Sequence, residues 1–115
     1  MSPFVVLYRW RVDPSREADF VEAWSAITRR LRDRVGSGGL AGSRGSRLHR
    51  GDDGLWYAYA VWQDERSREQ AFAESEEAAK HDPAWAAHRR TMRDAVVERL
   101  PEVRLEIVAD ELVKD

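Results

Sequence analysis

The chain has no cysteine and no asparagine, and of its 19 basic residues only Lys80 and Lys114 are lysines. Without a thiol there is no disulfide, no thiolate nucleophile and no zinc–thiolate centre, and a reducing cytoplasm is the expected compartment. Arginine in place of lysine, with asparagine absent, is the composition expected of a GC-rich genome. Long apolar runs are missing too. The run from Phe4 to Leu7 is cut by Arg9 and Arg11, too early for a signal h-region or a membrane span, so no membrane association is expected. There is no excess of positive charge: the net charge is -2 and the pI about 5.9, which gives no reason to expect a nucleic-acid partner. The basic cluster at Arg29, Arg30, Arg32 and Arg34 falls where a helix should end, and cations there favour the helix dipole. Glycine is concentrated in Gly36 to Gly45, which lacks the lysine of a phosphate-binding loop and is followed by no helical pattern. It reads as a connecting loop.

At 115 residues the chain is expected to form a single domain over residues 1–115. Phe4 to Val12 alternates as a strand, with Phe4, Val6, Tyr8, Trp10 and Val12 on one face. Asp13-Pro14 stops it and caps a helix from about Pro14 to Arg34, whose Phe20, Trp24, Ile27 and Leu31 form one apolar stripe. Ser43 to Arg50 is a polar strand, Gly51 to Gly54 a hairpin turn, and Leu55 to Trp62 a strand apolar on both faces. One subunit has helices for only one of those faces, so a second copy is the expected cover for the other. A second helix begins at Asp64 or Ser67, the latter forming a capping box with Gln70. Its stripe of Ala71, Phe72 and Ala79 is thin enough for a mobile cover. Asp82-Pro83 opens a third helix carrying Trp85, His88, Met92 and Val96, with Pro101 expected to end it. A last strand follows through Val103, Leu105 and Ile107 to about Val113. The order predicts an α+β fold, a ferredoxin-like βαββαβ unit with a four-stranded antiparallel sheet.

No acid pair or catalytic triad stands out, and His49, His81 and His88 lack metal-ligand spacing, so no metal site is expected. Two features go further. On the face Trp56, Ala58, Ala60, Trp62, the small residues either leave room for a flat ligand or let a helix approach closely. His88, on the stripe with Trp85 and Met92, is either a hydrogen-bonded core imidazole or a polar group in a pocket.

The strings YRWRVDPSREADFVEAW (Tyr8 to Trp24) and GSRLHRGDDGLWYAYAVW (Gly45 to Trp62) resemble the antibiotic biosynthesis monooxygenase (ABM) domain family, over about Phe4 to Arg99. The resemblance implies a ferredoxin-like subunit whose sheet packs on a partner's sheet as a dimeric α/β barrel, hence a homodimer. It also implies one of several activities: cofactor-free oxygenation of a flat aromatic such as a phenol, hydroquinone or anthrone, or haem degradation. Many family members have no assigned activity, so a binder of small hydrophobic molecules or a structural dimer stands as the alternative. Trp62 matches a pocket tryptophan of the polyketide monooxygenases, whereas Ala58 stands where they carry an asparagine. Against the haem-degrading members, Tyr8 replaces a first-strand asparagine, Phe72 lies near a tryptophan position and His88 matches a histidine. The resemblance therefore implies His88 as base, Tyr8 or Arg89 as stabiliser of an oxyanion, and Trp62 and Trp85 as walls. Trp56, Ala58, Phe72 and Met92 complete the expected binding surface. No cofactor is expected.

Overall fold

A computed structural model describes residues 4–33 and 43–112. Strand β1 spans Phe4–Val12, a 3-10 turn Pro14–Arg16, helix α1 Glu17–Arg32, β2 Ser43–Arg50, β3 Trp56–Trp62, α2 Glu65–Ala79, α3 Pro83–Ala95 and β4 Val96–Leu105. The four strands form one sheet in the order β2-β3-β1-β4, antiparallel throughout. This is the expected ferredoxin-like α+β arrangement.

Helices α2 and α3, and the 3-10 turn that occupies Pro14–Arg16 ahead of α1, each start at an aspartate; α1 itself begins at Glu17 rather than Pro14, without a side-chain cap. Asp13, Asp64 and Asp82 are extended at the cap position, and their carboxylates accept from the backbone N–H groups of Ser15 (2.9 Å), Ser67 (2.7 Å) and Trp85 (3.1 Å). These bonds satisfy amides that the first helical turn leaves without partners. Asp64, not Ser67, therefore caps α2, and the Ser67–Gln70 capping box does not form: Ser67 is already inside the helix and buried.

The other corrections lie at the C-terminal end. Helix α3 stops at Ala95, well before Pro101. The β-branched pair Val96-Val97 turns extended, and the Ala95 carbonyl accepts from Asp13 N–H (2.9 Å), tying the helix end to the exit of β1. Pro101 lies inside β4. This is an edge strand, where a missing N–H costs no interior ladder bond. The register jumps there: Leu7 faces Val103 and Arg9 faces Leu100, so Tyr8 alone opposes Pro101 and Glu102. Such a two-against-one bulge re-aims the side chains beside it. Residues 106–112 are not strand, so the expected extension through Ile107 is absent; Val113 and most of the Gly36–Gly45 loop lie outside the described residues.

The alternation read in the sequence sets the core. Val6, Tyr8, Trp10 and Val12 of β1 and Trp56, Ala58, Ala60 and Trp62 of β3 are buried on one face, with Phe20 of α1, Ala71 of α2 and Ala95 of α3 against them. Trp10, Phe20 and Trp56 meet edge to face at 5.5 Å between successive ring centroids, a favoured aromatic geometry. The opposite face carries Leu7, Tyr57, Tyr59 and Val61, all half-buried, and the exposed Val103 and Leu105.

Candidate functional site

Between the sheet and the helices lies a cavity of about 770 Å³. Its floor is the buried row Tyr8, Trp10, Ala60 and Trp62. Trp24, Ile27 and Leu31 of α1, Phe72 of α2 and Met92 of α3 form its walls, and the exposed Glu76, Arg93, Val97 and Arg99 its rim. The volume falls within the roughly 300–1,000 Å³ typical of small-molecule sites. Trp62 meets Phe72 edge to face at 5.7 Å, and Tyr8 stacks on Trp10 at 5.9 Å with 12° between the planes. The interior is thus a set of fixed aromatic surfaces.

Polar groups converge at Tyr8. Arg68 of α2, only 8% exposed, donates through Nε to the Tyr8 hydroxyl (2.9 Å) and through Nη2 to Glu102 Oε2 (2.6 Å). Its guanidinium also lies over the Phe72 ring, 4.9 Å from the centroid. Burial pushes the Tyr8 hydroxyl above the ordinary tyrosine value; the Arg68 hydrogen bond and positive charge oppose that push, and the charge of Glu102 adds to it. Tyr8 is therefore a neutral phenol at physiological pH. The buried indole N–H of Trp62 lies close enough to the same hydroxyl to favour its ionised form slightly. It nevertheless reaches no acceptor at hydrogen-bonding geometry among the described residues. Arg89, which also lines the cavity, donates to the Ser75 carbonyl at 3.4 Å, and Arg93 pairs with Asp94 at 3.8 Å. No Arg99 ion pair is found among the described residues.

Of the residues singled out in the sequence, Tyr8, Trp62, Phe72, Arg89 and Met92 line this cavity. Four others do not. Trp56 is buried against Phe20 and beneath Arg50, and Ala58 is a core residue paired with Tyr8 and Leu48. Trp85 donates its indole N–H to Ser75 O (2.9 Å) and lies under the Arg30 guanidinium, beside a smaller hollow of about 390 Å³. His88 is half-buried, contributes to neither cavity lining, and makes no hydrogen bond or ion pair found among the described residues. Ala60 resolves the open reading of the β3 face, since it lies on the cavity floor while Ala58 is packing.

Arg68 and Glu102 were missed. The signal for Arg68 was present, because it precedes Ala71 and Phe72 by three and four residues and so occupies the helix's apolar stripe. Glu102 was hidden by the assignment of Pro101 to a helix end.

No family model matches the chain, and no curated protein matches it in sequence. Solved structures do match. SnoaB, described as a cofactor-independent oxygenase from Streptomyces nogalater and solved as an asparagine-to-alanine variant, superposes with a TM-score of 0.62 at 16% identity, covering 100% of both chains. A protein of Chloroflexus aurantiacus J-10-fl, provisionally named an antibiotic biosynthesis monooxygenase, gives 0.68 at 9% identity, covering 98% of this chain and 100% of that one. Rv0793 of Mycobacterium tuberculosis gives 0.65 at 13% identity, covering 96% and 100%. The chain has the fold of these three structures over nearly its whole length.

Proposed function

We propose that this chain binds a flat aromatic molecule in the cavity between sheet and helices and oxygenates it without an added cofactor. The observation that carries the reading is the cavity itself: about 770 Å³, walled by Trp24 and Phe72 and floored by Trp62 beside the Tyr8 phenol. A filled interior would have favoured a structural domain. The fold shared with the ABM-type structures, one of them named a cofactor-independent oxygenase, supports oxygenation over other chemistries.

The substrate supplies the electrons. An anthrone-type ring gives up a proton to the Glu76 carboxylate, directly or through water, and the resulting anion is stabilised by the Tyr8 hydroxyl and by the guanidinium groups at the rim; the proton returns when the hydroperoxide forms. The anion adds to O2 to give a ring hydroperoxide. Loss of water from it leaves a ketone carrying one oxygen atom from O2, with the other oxygen released in the water. Overall, CH2 and O2 become C=O and H2O, so no outside reductant is required. The carboxylate on the cavity rim is Glu76. His88, the base expected from the resemblance, has no part in this scheme because it does not line the cavity. The haem-degrading alternative loses its sequence support for the same reason.

The second reading, binding without turnover, is favoured by Ala58, which stands where the resemblance calls for an asparagine. Oxygen uptake by the purified chain with anthrone, without flavin or metal, separates the two. Uptake above the buffer rate supports oxygenation, whereas quenching of tryptophan fluorescence without uptake supports a binder. We also propose that two copies pair through the face bearing Leu7, Tyr59 and Val61, since a contiguous apolar patch is unusual on a free surface.

A further inference from the structure

Arg68 is a costly residue to place where it is. A guanidinium that is 8% exposed must hold its charge against desolvation, and on a helix as polar as α2 many exposed positions were open to it. Its donors are used specifically, one on the Tyr8 oxygen and one on Glu102. Glu102 reaches it because the β4 bulge sets Pro101 and Glu102 together opposite Tyr8. Arg68 Nε donates to the phenol oxygen and so takes up one of its acceptor positions. The hydroxyl oxygen accepts from Arg68, and no acceptor for its hydrogen is found among the described residues. Tyr8 lines the cavity, so the free O–H is available to its contents.

We infer that Glu102 and Arg68 are positioning residues that commit the Tyr8 hydroxyl to donating a hydrogen bond into the cavity, so that the site selects rings bearing a ketone or phenol oxygen over plain hydrocarbons of the same shape. The inference rests on the aromatic-binding reading and specifies the ligand class. A donor polarised by a buried cation gives a stronger bond than an isolated phenol. A hydrocarbon leaves the O–H unpartnered after water has been displaced, and that difference is the source of discrimination.

Anthrone and dihydroanthracene differ only in whether one ring carbon carries oxygen. Their affinities for the full chain are measured by tryptophan quenching under anaerobic conditions. The expected result is about tenfold tighter binding of anthrone, the scale of one hydrogen bond in a desolvated site. Tyr8→Phe, which removes one atom and leaves the ring packing, should erase the preference while keeping dihydroanthracene affinity. Arg68→Met should lower the preference in the same way, and Glu102→Gln should lower it less. A network that merely braces β4 against α2 would change both affinities together and leave their ratio intact, and that result overturns the inference. Equal wild-type affinities, or a preference that survives Tyr8→Phe, also overturn it while leaving the aromatic-binding reading standing. Binding of neither compound overturns both.

Discussion

Arg68 donates to the Tyr8 hydroxyl at 2.9 Å across 60 residues of sequence, joining the second helix to the first strand at a residue of the cavity floor. The same guanidinium is held by Glu102 of the edge strand, so three elements meet at one buried cation.

That geometry predicts unequal costs for removing the two partners of the ion pair. Glu102→Ala leaves the guanidinium buried without a counter-charge and should destabilise the fold by about 1.5 kcal/mol, the low end for a charged hydrogen bond because Glu102 is partly exposed. Arg68→Met replaces the cation with an apolar chain of similar length and should cost less, under about 1 kcal/mol. The double variant should recover most of the Glu102→Ala loss. Urea unfolding of the four proteins checks the ordering. A double variant as unstable as the sum of the two singles contradicts it.

Alkaline titration tests the environment of Tyr8. Its proton is held more tightly in the folded chain than in the unfolded one, whose tyrosines titrate near 10. The native state therefore binds more protons above that pH. The stability contribution is fully present below pH 10 and is lost as pH rises through the higher folded value. Ultraviolet difference spectra should show Tyr8 ionising late, beside Tyr57, whose hydrogen bond to Asp53 also raises it, and the Tyr8 component should be absent in Tyr8→Phe. Unchanged spectra in that variant would mean the hydroxyl is not desolvated.

Acid acts on the helix caps in the opposite direction. Backbone hydrogen bonds at Asp13 and Asp64, and at Asp82 the Trp85 N–H with Arg30, hold these carboxylates below their ordinary value of 3.8. Their folded values are depressed, so their contribution is present above pH 3.8 and fades as pH falls through the lower folded values. Asp82→Ala should lower the thermal midpoint at neutral pH and flatten its acid dependence, measured by circular dichroism at stepped pH. An acid dependence as steep as wild type would remove Asp82 from the account.

The open face of the sheet predicts a homodimer. Light scattering after size exclusion should give twice the 13.3 kDa chain mass, and Tyr59→Asp together with Val61→Asp should give a monomer. A monomeric wild type at micromolar concentration contradicts the pairing.

The strands and caps were largely legible in the sequence because they rest on local chemistry. Alternation fixes β1 to the residue and β3 to within one, the polar run Ser43–Arg50 before a hairpin turn gives β2, and the Asp-Pro steps mark the starts of the 3-10 turn and of α3. The end of α3 was not legible. Pro101 reads locally as a helix terminator, while the bond from Asp13 N–H to Ala95 O, which anchors the earlier end, joins residues 82 positions apart in sequence. The site was half-legible for a related reason. Trp62 and Phe72 announce themselves as aromatics on core stripes. The pairing of Arg68 with Glu102 depends on a bulge at Pro101, a residue that reads locally as a helix end. His88 shares a helical stripe with Met92, yet the two differ in whether they reach the cavity, a difference finer than spacing resolves.

The placement of His88 carries its own expectation. His88→Ala should leave anthrone binding and oxygen uptake within about twofold of wild type, while Phe72→Ala should weaken binding about fivefold through loss of a ring contact worth about 1 kcal/mol. Titration and uptake measured on both variants check this. A silent Phe72→Ala beside an inactive His88→Ala would return the site to the residue the resemblance first named.

A structure of the chain with anthraquinone bound, an oxygenated ring system that no longer turns over, tests the central claim most directly. The account predicts the ligand between Trp62, Phe72 and Met92, with a ring oxygen within hydrogen-bonding distance of the Tyr8 hydroxyl. A ligand seated elsewhere, or a cavity that stays empty at saturating ligand, would contradict it.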